Sequence, residues 1–485
     1  MTTPFVRTLI ATAIAGLALG LGAGQTFGAG FILQENSGSG LGNAYAGGAA
    51  ASEDADTIWT NPAGMSRLKT NQLAAAVNFI TPSLKFSNDG GSLNAGPAQP
   101  LGGNGGDAGG TNVVPNLYLV VPINQQWAIG VGVNAPFGLK TEYDSTWIGR
   151  YQAIESKIET INVNPAISYK FGDFAVGVGA NWQRLHNSDF TQAVNYSGAL
   201  ATAAQGLVNA GVMPPQTLLP FIGATAGLDG LGKVEVSDDA WGWNIGVEWN
   251  VRGSDSRSRI GAAYRSALKY NASGTATFSF PSAPANLPAN LAPYYAQAAG
   301  LVASDPRLQN VNISTNIKLP GVANLSFFYT TLNDKWDFMG DIQWTDWSTI
   351  QDLTFVRTSG PLSGTNLQST PEHWKDAWRL SAGASYRYTD QWTFRGGLAW
   401  DQTPVQNQYR TPRLPDTDRY WLAGGVQYKW SPALKFDAGA AYIWMQNGSI
   451  AQISTDPATV AQYGYVSGNY NNNIWIFSLQ ATWSF

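Results

Sequence analysis

The sequence predicts an all-β transmembrane protein: an antiparallel β-barrel of about 14 strands whose N-terminal segment folds into the lumen as a plug. Three observations predict it. The last strand, 475–485, alternates: Trp475, Phe477, Leu479, Ala481, Trp483 and Phe485 on one face, and Ser478, Gln480, Thr482 and Ser484, with Ile476, on the other. A period of two gives one greasy face and one wet face, and aromatic residues near both ends fit the two interfaces of a bilayer. Charged residues make up 12% of the chain against a usual ~25%, with 54 Gly and 19 Trp. No stretch beyond the N-terminus approaches the ~18 uninterrupted apolar residues of a membrane-spanning helix.

Residues 1–28 carry one charge, Arg7, then an apolar run from Leu9 to Gly24 and small residues at Thr26 and Gly28. This is the pattern of a secretory signal peptide cleaved before Ala29, since ~15 apolar residues are short for a membrane anchor. Residues 29–70 follow, rich in Gly, Ala and Ser and without a strand pattern. Disorder is one reading. Phe31, Leu33, Leu41, Tyr45, Ile58, Trp59 and Met65 supply apolar anchors for the other, a hatch packed inside the barrel, which ends at the turn Asn61-Pro62-Ala63.

Turn signals divide residues 71–485 into strands near 72–86, 113–122, 126–141, 156–171, 174–194, 232–251, 257–280, 310–333, 335–357, 375–389, 391–404, 415–430, 433–449 and 472–485. Trp241, Trp243, Ile245, Val247 and Trp249 alternate with Gly242, Asn244, Gly246 and Glu248, and the pattern recurs from Trp336, from Trp392 and from Leu434. Short turns at 171–173 and 389–391 alternate with longer connections, as periplasmic turns alternate with extracellular loops. The Gly-rich connection 88–112 reads as a mobile loop. The long extracellular loops near 198–232 and 281–310 are apolar, with Leu218 and Phe221 on the first and Leu287, Leu291 and Tyr294 on the second. Apolar loops need a reason: a hydrophobic groove for ligand, or a cap in which the loops pack on each other. The third strand contains Asn134, Pro136 and Gly138 besides Gly130 and Gly132. Proline gives no ladder donor and glycine weakens a strand interior, so the wall is disturbed there.

Several function classes drop out. With no Cys and two His, His186 and His373, no thiol nucleophile or His-rich metal site is expected, and no cofactor. Gly38-Ser39-Gly40 lies in the hatch, outside the strand–turn–helix context of a hydrolase nucleophile, so an enzyme is not expected. A net charge of −4 argues against a nucleic-acid partner.

Several blocks carry a family resemblance: Ala29-Gly30-Phe31, Ser37-Gly38-Ser39-Gly40-Leu41-Gly42, Ala44-Tyr45 and Asn61-Pro62-Ala63, then Ala135-Pro136-Phe137-Gly138-Leu139, and further stretches at 341–347, 374–379, 390–395 and 415–421. Over nearly the whole mature chain the sequence resembles the FadL long-chain fatty-acid transporters. The resemblance implies an outer-membrane barrel of 14 strands that imports hydrophobic molecules passively, with a kink in the third strand opening a side window at Asn134, Pro136 and Gly138. Lateral release keeps an acyl chain out of water, at ~0.8 kcal/mol for each methylene. Ligand would adsorb between the apolar loops, enter a pocket beneath them, displace the hatch and leave through the window. Fatty-acid members place basic side chains in the pocket, where this chain has Thr191 and Thr370; an inward acid is matched by Asp401. Arg184, Lys375 and Arg379 are the remaining carboxylate partners, or else are solvated or ion-paired in the lumen. Uptake of aromatic or alkane hydrocarbons is the alternative, and a general porin the second alternative. The implied partners are hydrophobic small molecules, outer-membrane lipids and, through the strand ending in Phe485, the barrel-assembly machinery, with the barrel a monomer.

Overall fold

A computed structural model describes residues 29–96, 99–251, 257–451 and 456–485; the expected signal peptide lies outside them. Extended segments follow in chain order: β1 (Gln72–Asn88), β2 (Asn112–Pro122), β3 (Trp127–Asn134), β4 (Gly138–Glu142), β5 (Glu155–Phe171), β6 (Phe174–Asn195) and β7 (Asp229–Asn250). Then come β8 (Ser258–Arg265), β9 (Leu268–Ser279), β10 (Val311–Leu319), β11 (Val322–Thr330), β12 (Trp336–Thr345), β13 (Asp352–Arg357) and β14 (Asn366–Pro371). The last are β15 (Ala377–Arg387), β16 (Trp392–Asp401), β17 (Arg419–Ser431), β18 (Leu434–Met445), β19 (Gly448–Ala451) and β20 (Ser467–Ser484). They form one sheet, closed as a 14-strand antiparallel barrel in which some strands consist of two segments. The closing seam is complete: β1 pairs with β20 from Gln72↔Ser484 to Asn88↔Gly468.

The alternation is expressed as two solvents. On β20, Trp475, Phe477 and Leu479 are about half exposed (47%, 51% and 55%), while Ser478, Gln480 and Thr482 are buried in the lumen. Exposed aromatics collect in two bands. Near the short turns, Trp127, Tyr169, Phe171, Phe174 and Trp249 form a chain of ring contacts with centroids 4.5–6.1 Å apart. Near the long loops stand Trp241, Trp243, Trp378, Tyr420, Trp444 and Trp475. These are the girdles of a lipid-facing barrel.

Several expected strands are split or shifted, and those near 257–280, 310–333, 335–357 and 433–449 each fall into two segments. The third strand, expected unbroken, is split into β3 and β4 around Pro136. The tenth begins at Asn366, as β14, before the expected start at 375, and the last begins at Ser467 rather than near 472. Gly468 and Asn469 to Asn473 look like loop residues. Above the bilayer, however, the outer face of a strand needs no apolar side chain.

The connection 88–112, expected to be mobile, is pinned by bridges Leu93↔Tyr465 and Gly103↔Trp147 and by an Ala108 N–H to Leu84 O bond of 2.9 Å. Loops 196–228 and 280–310 contain helices Tyr196–Asn209, Leu218–Ala224 and Ala292–Ser304, which share one apolar cluster built on Tyr196, Leu200, Phe221, Tyr295 and Val302.

The hatch fills the lumen as short helical turns, Gly38–Leu41, Gly48–Ala51, Thr57–Thr60 and Pro62–Arg67. Asn61 fixes it to the wall: its amide donates to Ala49 O (2.6 Å) and Val247 O (3.0 Å), and its Oδ1 accepts from Ala63 N–H (3.0 Å). Gly246 lets it in, since a β carbon there would fall 1.8 Å from Asn61 Oδ1.

Candidate functional site

A cavity of about 880 Å³ lies under the extracellular helices, within the ~300–1,000 Å³ range of ligand pockets. Its apolar walls come from Phe190, Val234, Phe278, Leu308, Phe355 and Leu367. Arg413 and Arg357 stand among them. Arg413 belongs to the loop 402–418, which dips into the barrel: Thr141 Oγ1 donates to the Arg413 carbonyl (3.1 Å). Its guanidinium donates to Ser156 Oγ (3.1 Å) and Gln192 Oε1 (2.7 Å) and lies 5.5 Å from the Phe190 ring centroid. Burial pulls its pKa down to about 10, against the field of Glu372. Arg357 ends β13. It donates to Asn366 O (2.6 Å) and Arg307 O (3.3 Å), while its buried Nε has no partner.

Neither arginine pairs with a carboxylate among the described residues, whereas the cavity's other cations do: Arg307 with Asp305 and Lys233 with Glu235, both at 2.6 Å. Two buried guanidiniums without an ion-pair partner, set beside apolar walls, make a site for an amphiphile with an anionic head.

Below the cavity the hatch closes the side of the barrel. On the third barrel strand β2 pairs with β3 only over Leu117–Pro122, and β4 pairs with β5, so residues 112–116 have no ladder partner on that side among the described residues. The chain's first described residues pair with the broken third strand itself: Leu33 N–H donates to Pro136 O (2.8 Å) and Gly138 N–H to Phe31 O (2.9 Å). Phe31 is boxed by Trp347, Trp374 and Phe137, with centroids 5.0, 5.8 and 5.9 Å away. Those tryptophans reach inward because their barrel strands break between β12 and β13 and between β14 and β15. Gly30, at φ +63°, fits against Trp347 only without a side chain: a β carbon would lie 2.7 Å from the indole.

Loop 402–418 also grips the hatch. Asp416 Oδ2 accepts from Gly30 N–H (2.9 Å) and from Thr403 Oγ1 (2.7 Å), and Asp416 pairs with Arg419. One short loop therefore carries both a cavity cation, Arg413, and the clamp on the residue before Phe31.

Of the residues singled out from sequence, Phe31, Asn61, Pro62 and Ala63 lie in the hatch as just described, and Asn134, Pro136 and Gly138 border the broken strand. Arg379 and Asp401 sit deeper than the cavity, cross-strand neighbours against the hatch, where Arg379 donates to Ala44 O (2.7 Å) and Asp401 faces Arg419 at 3.9 Å. Arg184 pairs with Asp239 at 3.5 Å, both side chains half-exposed, and Lys375 is exposed; neither lines the cavity. Leu218, Phe221, Leu287 and Tyr294 belong to the cap between the loops, and Leu291 precedes the helix Ala292–Ser304. The faces turned to the cavity carry Ile222, Leu301 and Val302 instead.

Arg357, Arg413, Asp416, Trp347 and Trp374 were missed. For Trp347 a signal existed, because it interrupts the period of two set by Trp336, Phe338, Ile342 and Trp344; for Trp374 and the arginines none did.

A family model described as outer membrane protein transport protein (OMPP1/FadL/TodX) matches residues 19–485. The chain is 28% identical over 491 residues to the long-chain fatty acid transport protein of Escherichia coli, with 99% of each covered. It is 30% identical to the 47 kDa outer membrane protein of Pasteurella multocida, with 91% of this chain and 92% of that one covered. Among solved structures, a Pseudomonas aeruginosa FadL homologue superposes with a TM-score of 0.76 at 27% identity, covering 94% of this chain and 100% of that one. The Pseudomonas putida toluene transporter TodX, at 16% identity, a TM-score of 0.60 and 94% and 99% coverage, shows the fold alone.

Proposed function

From the premise that the chain belongs to the OMPP1/FadL/TodX family of outer-membrane transport proteins, we propose that it takes up long-chain fatty acids passively across the outer membrane and releases them sideways into the bilayer. The observation that carries the cargo is the pair of buried guanidiniums, Arg357 and Arg413, which have no ion-pair partner among the described residues and stand beside the apolar walls of the chamber. A charge-assisted hydrogen bond to a carboxylate contributes ~1.5–3 kcal/mol, so a hydrocarbon would leave both arginines uncompensated.

The route follows the contacts. Ligand enters between the capping helices, its head meets Arg413, and strain on loop 402–418 loosens the Asp416 clamp on Gly30. Phe31 then leaves its aromatic box, the Leu33 and Gly138 bonds to the hatch break, and the acyl chain passes out beside Pro136. In this reading 29–70 is the moving unit, 1–28 is a removed signal, and the barrel works as a monomer inserted through its last strand. The relatives are named as transport or outer-membrane proteins, and we read this chain likewise, as a channel and not an enzyme.

Hydrocarbon uptake is favoured by a different observation, the aromatic surface of Phe190, Phe278 and Phe355. Titration of the detergent-solubilised barrel with oleate and with toluene separates the two. Arg357→Ala with Arg413→Ala should weaken oleate binding roughly 10- to 100-fold and leave toluene alone. Oleate affinity unchanged by that double substitution would remove fatty acid as the cargo.

A further inference from the structure

On the outside of the barrel Lys269 of β9 and Lys318 of β10 are direct cross-strand partners, and both are exposed. Side chains opposite each other on one sheet face have β carbons ~4.5–5.5 Å apart, and like charges so placed destabilise the pair. Several other cations on the outer half of the molecule are relieved by an acid: Lys85 by Asp107 (3.8 Å), Lys140 by Glu142 (3.1 Å), Lys157 by Glu159 (2.9 Å) and Arg184 by Asp239 (3.5 Å). Lys269 and Lys318 have no ion pair among the described residues. The neighbouring acid, Asp238, is engaged by the backbone N–H of Asn271 at 2.6 Å.

Their height on the wall identifies what meets them. Directly below on the outer surface come Tyr264 and Leu325, 36% and 51% exposed, and beside them on β7 Trp241 and Trp243, 71% and 52% exposed. Gly242 touches Leu268, its β-carbon position 2.7 Å from Leu268 Cδ2, which sets Trp241 level with Lys269. Directly above, the outward pairs are Asn271↔Asn316, Ser273↔Ser314 and Thr275↔Asn312. The wall therefore changes from apolar to polar at the two lysines, with the upper aromatic band just beneath them. That is the level of the lipid headgroups in the outer leaflet. The change coincides with the breaks at 266–267 and 320–321, which end the lipid-facing alternation of β8 and β11.

We propose that Lys269 and Lys318 form a docking site for the phosphate of a phosphorylated glycolipid of the outer leaflet. The anion relieves the repulsion between the ammonium groups, and the tryptophans beside and below accept the lipid's acyl region. The site is separate from the cavity and independent of its cargo.

Native mass spectrometry of the full-length barrel in detergent tests it, with diphosphoryl lipid A, the same lipid stripped of phosphate, and inorganic phosphate as probes. Diphosphoryl lipid A should remain bound through detergent removal. Lys269→Gln with Lys318→Gln should reduce its occupancy at least tenfold, and Lys269→Arg with Lys318→Arg should retain it. Lys335→Gln, at the opposite rim, should change nothing. Unaltered heat-modifiable mobility and oleate affinity in the Gln variant establish that the barrel is intact. Equal occupancy by the dephosphorylated lipid, or binding unchanged in the intact Gln variant, overturns the proposal, as does inorganic phosphate binding as tightly as the lipid.

Discussion

At the scale of single residues, the molecule stores its polar tension around the hatch. Glu35 is the clearest case: wholly buried, with neither carboxylate oxygen hydrogen-bonded. Burial lifts its pKa from 4.5 to about 7, with Arg419 and Arg379 pulling the other way. In a hatch released to water the same group titrates near ~4.3. The docked hatch therefore prefers the protonated acid. Docking is unpenalised below about 4.5, weakens as pH rises toward 7, and weakens no further above it. At ~1.36 kcal/mol per pKa unit the penalty is roughly 3 kcal/mol. Leak conductance in planar bilayers should accordingly grow between pH 5 and pH 8, and Glu35→Gln should flatten that profile. A wild-type trace independent of pH would show that Glu35 does not bias the hatch. None of this is visible in the string of residues, where Glu35 is an ordinary acid between Gln34 and Asn36.

Elements act here through their interruptions. Pro136 could be read from sequence because proline removes a ladder donor wherever it stands. What could not be read is that the edge at Pro136 and Gly138 is occupied by Phe31 to Leu33, a partner about a hundred residues earlier in the chain. The breaks that turn Trp347 and Trp374 inward complete the same latch. Replacing Pro136 and Gly138 with Val should extend β4 toward β2 and seal residues 112–116 into a ladder, each bond contributing ~1 kcal/mol net. Oleate uptake by cells should then fall roughly tenfold or more, while binding to the purified barrel stays as it was. Uptake at the wild-type rate would mean that ligand leaves by another path. The apolar loops show the converse: their residues announced a hydrophobic purpose, yet Leu218, Phe221 and Tyr294 serve the cap, and their helices present other faces to the ligand.

As a whole the molecule is a graded solvent. Lipid meets the outer face, a chamber with apolar walls lies beneath the cap, and a polar, Gly-lined lumen holds the hatch. A long acyl chain crosses it without entering bulk water, which would cost ~0.8 kcal/mol per methylene. The hatch is the only barrier this scheme requires, so deleting residues 29–70 should convert a nearly silent barrel into a steadily conducting one. Equal conductance of the two forms would transfer the barrier to the extracellular cap.

The barrel was legible from Trp475, Phe477 and Leu479 onward because sidedness along a strand is local: each residue faces away from its neighbour, whatever the rest of the chain does. Strand number and the flaw at Pro136 are as local, read from turn residues and from proline's missing ladder donor. The ligand chamber does not. Phe190, Arg357 and Arg413 meet there from segments far apart, Arg413 on a loop whose path no periodicity dictates, and the charge that matters is one that finds no acid beside it. Only closure of the wall around the hatch brings those side chains together and determines which cations remain unpaired.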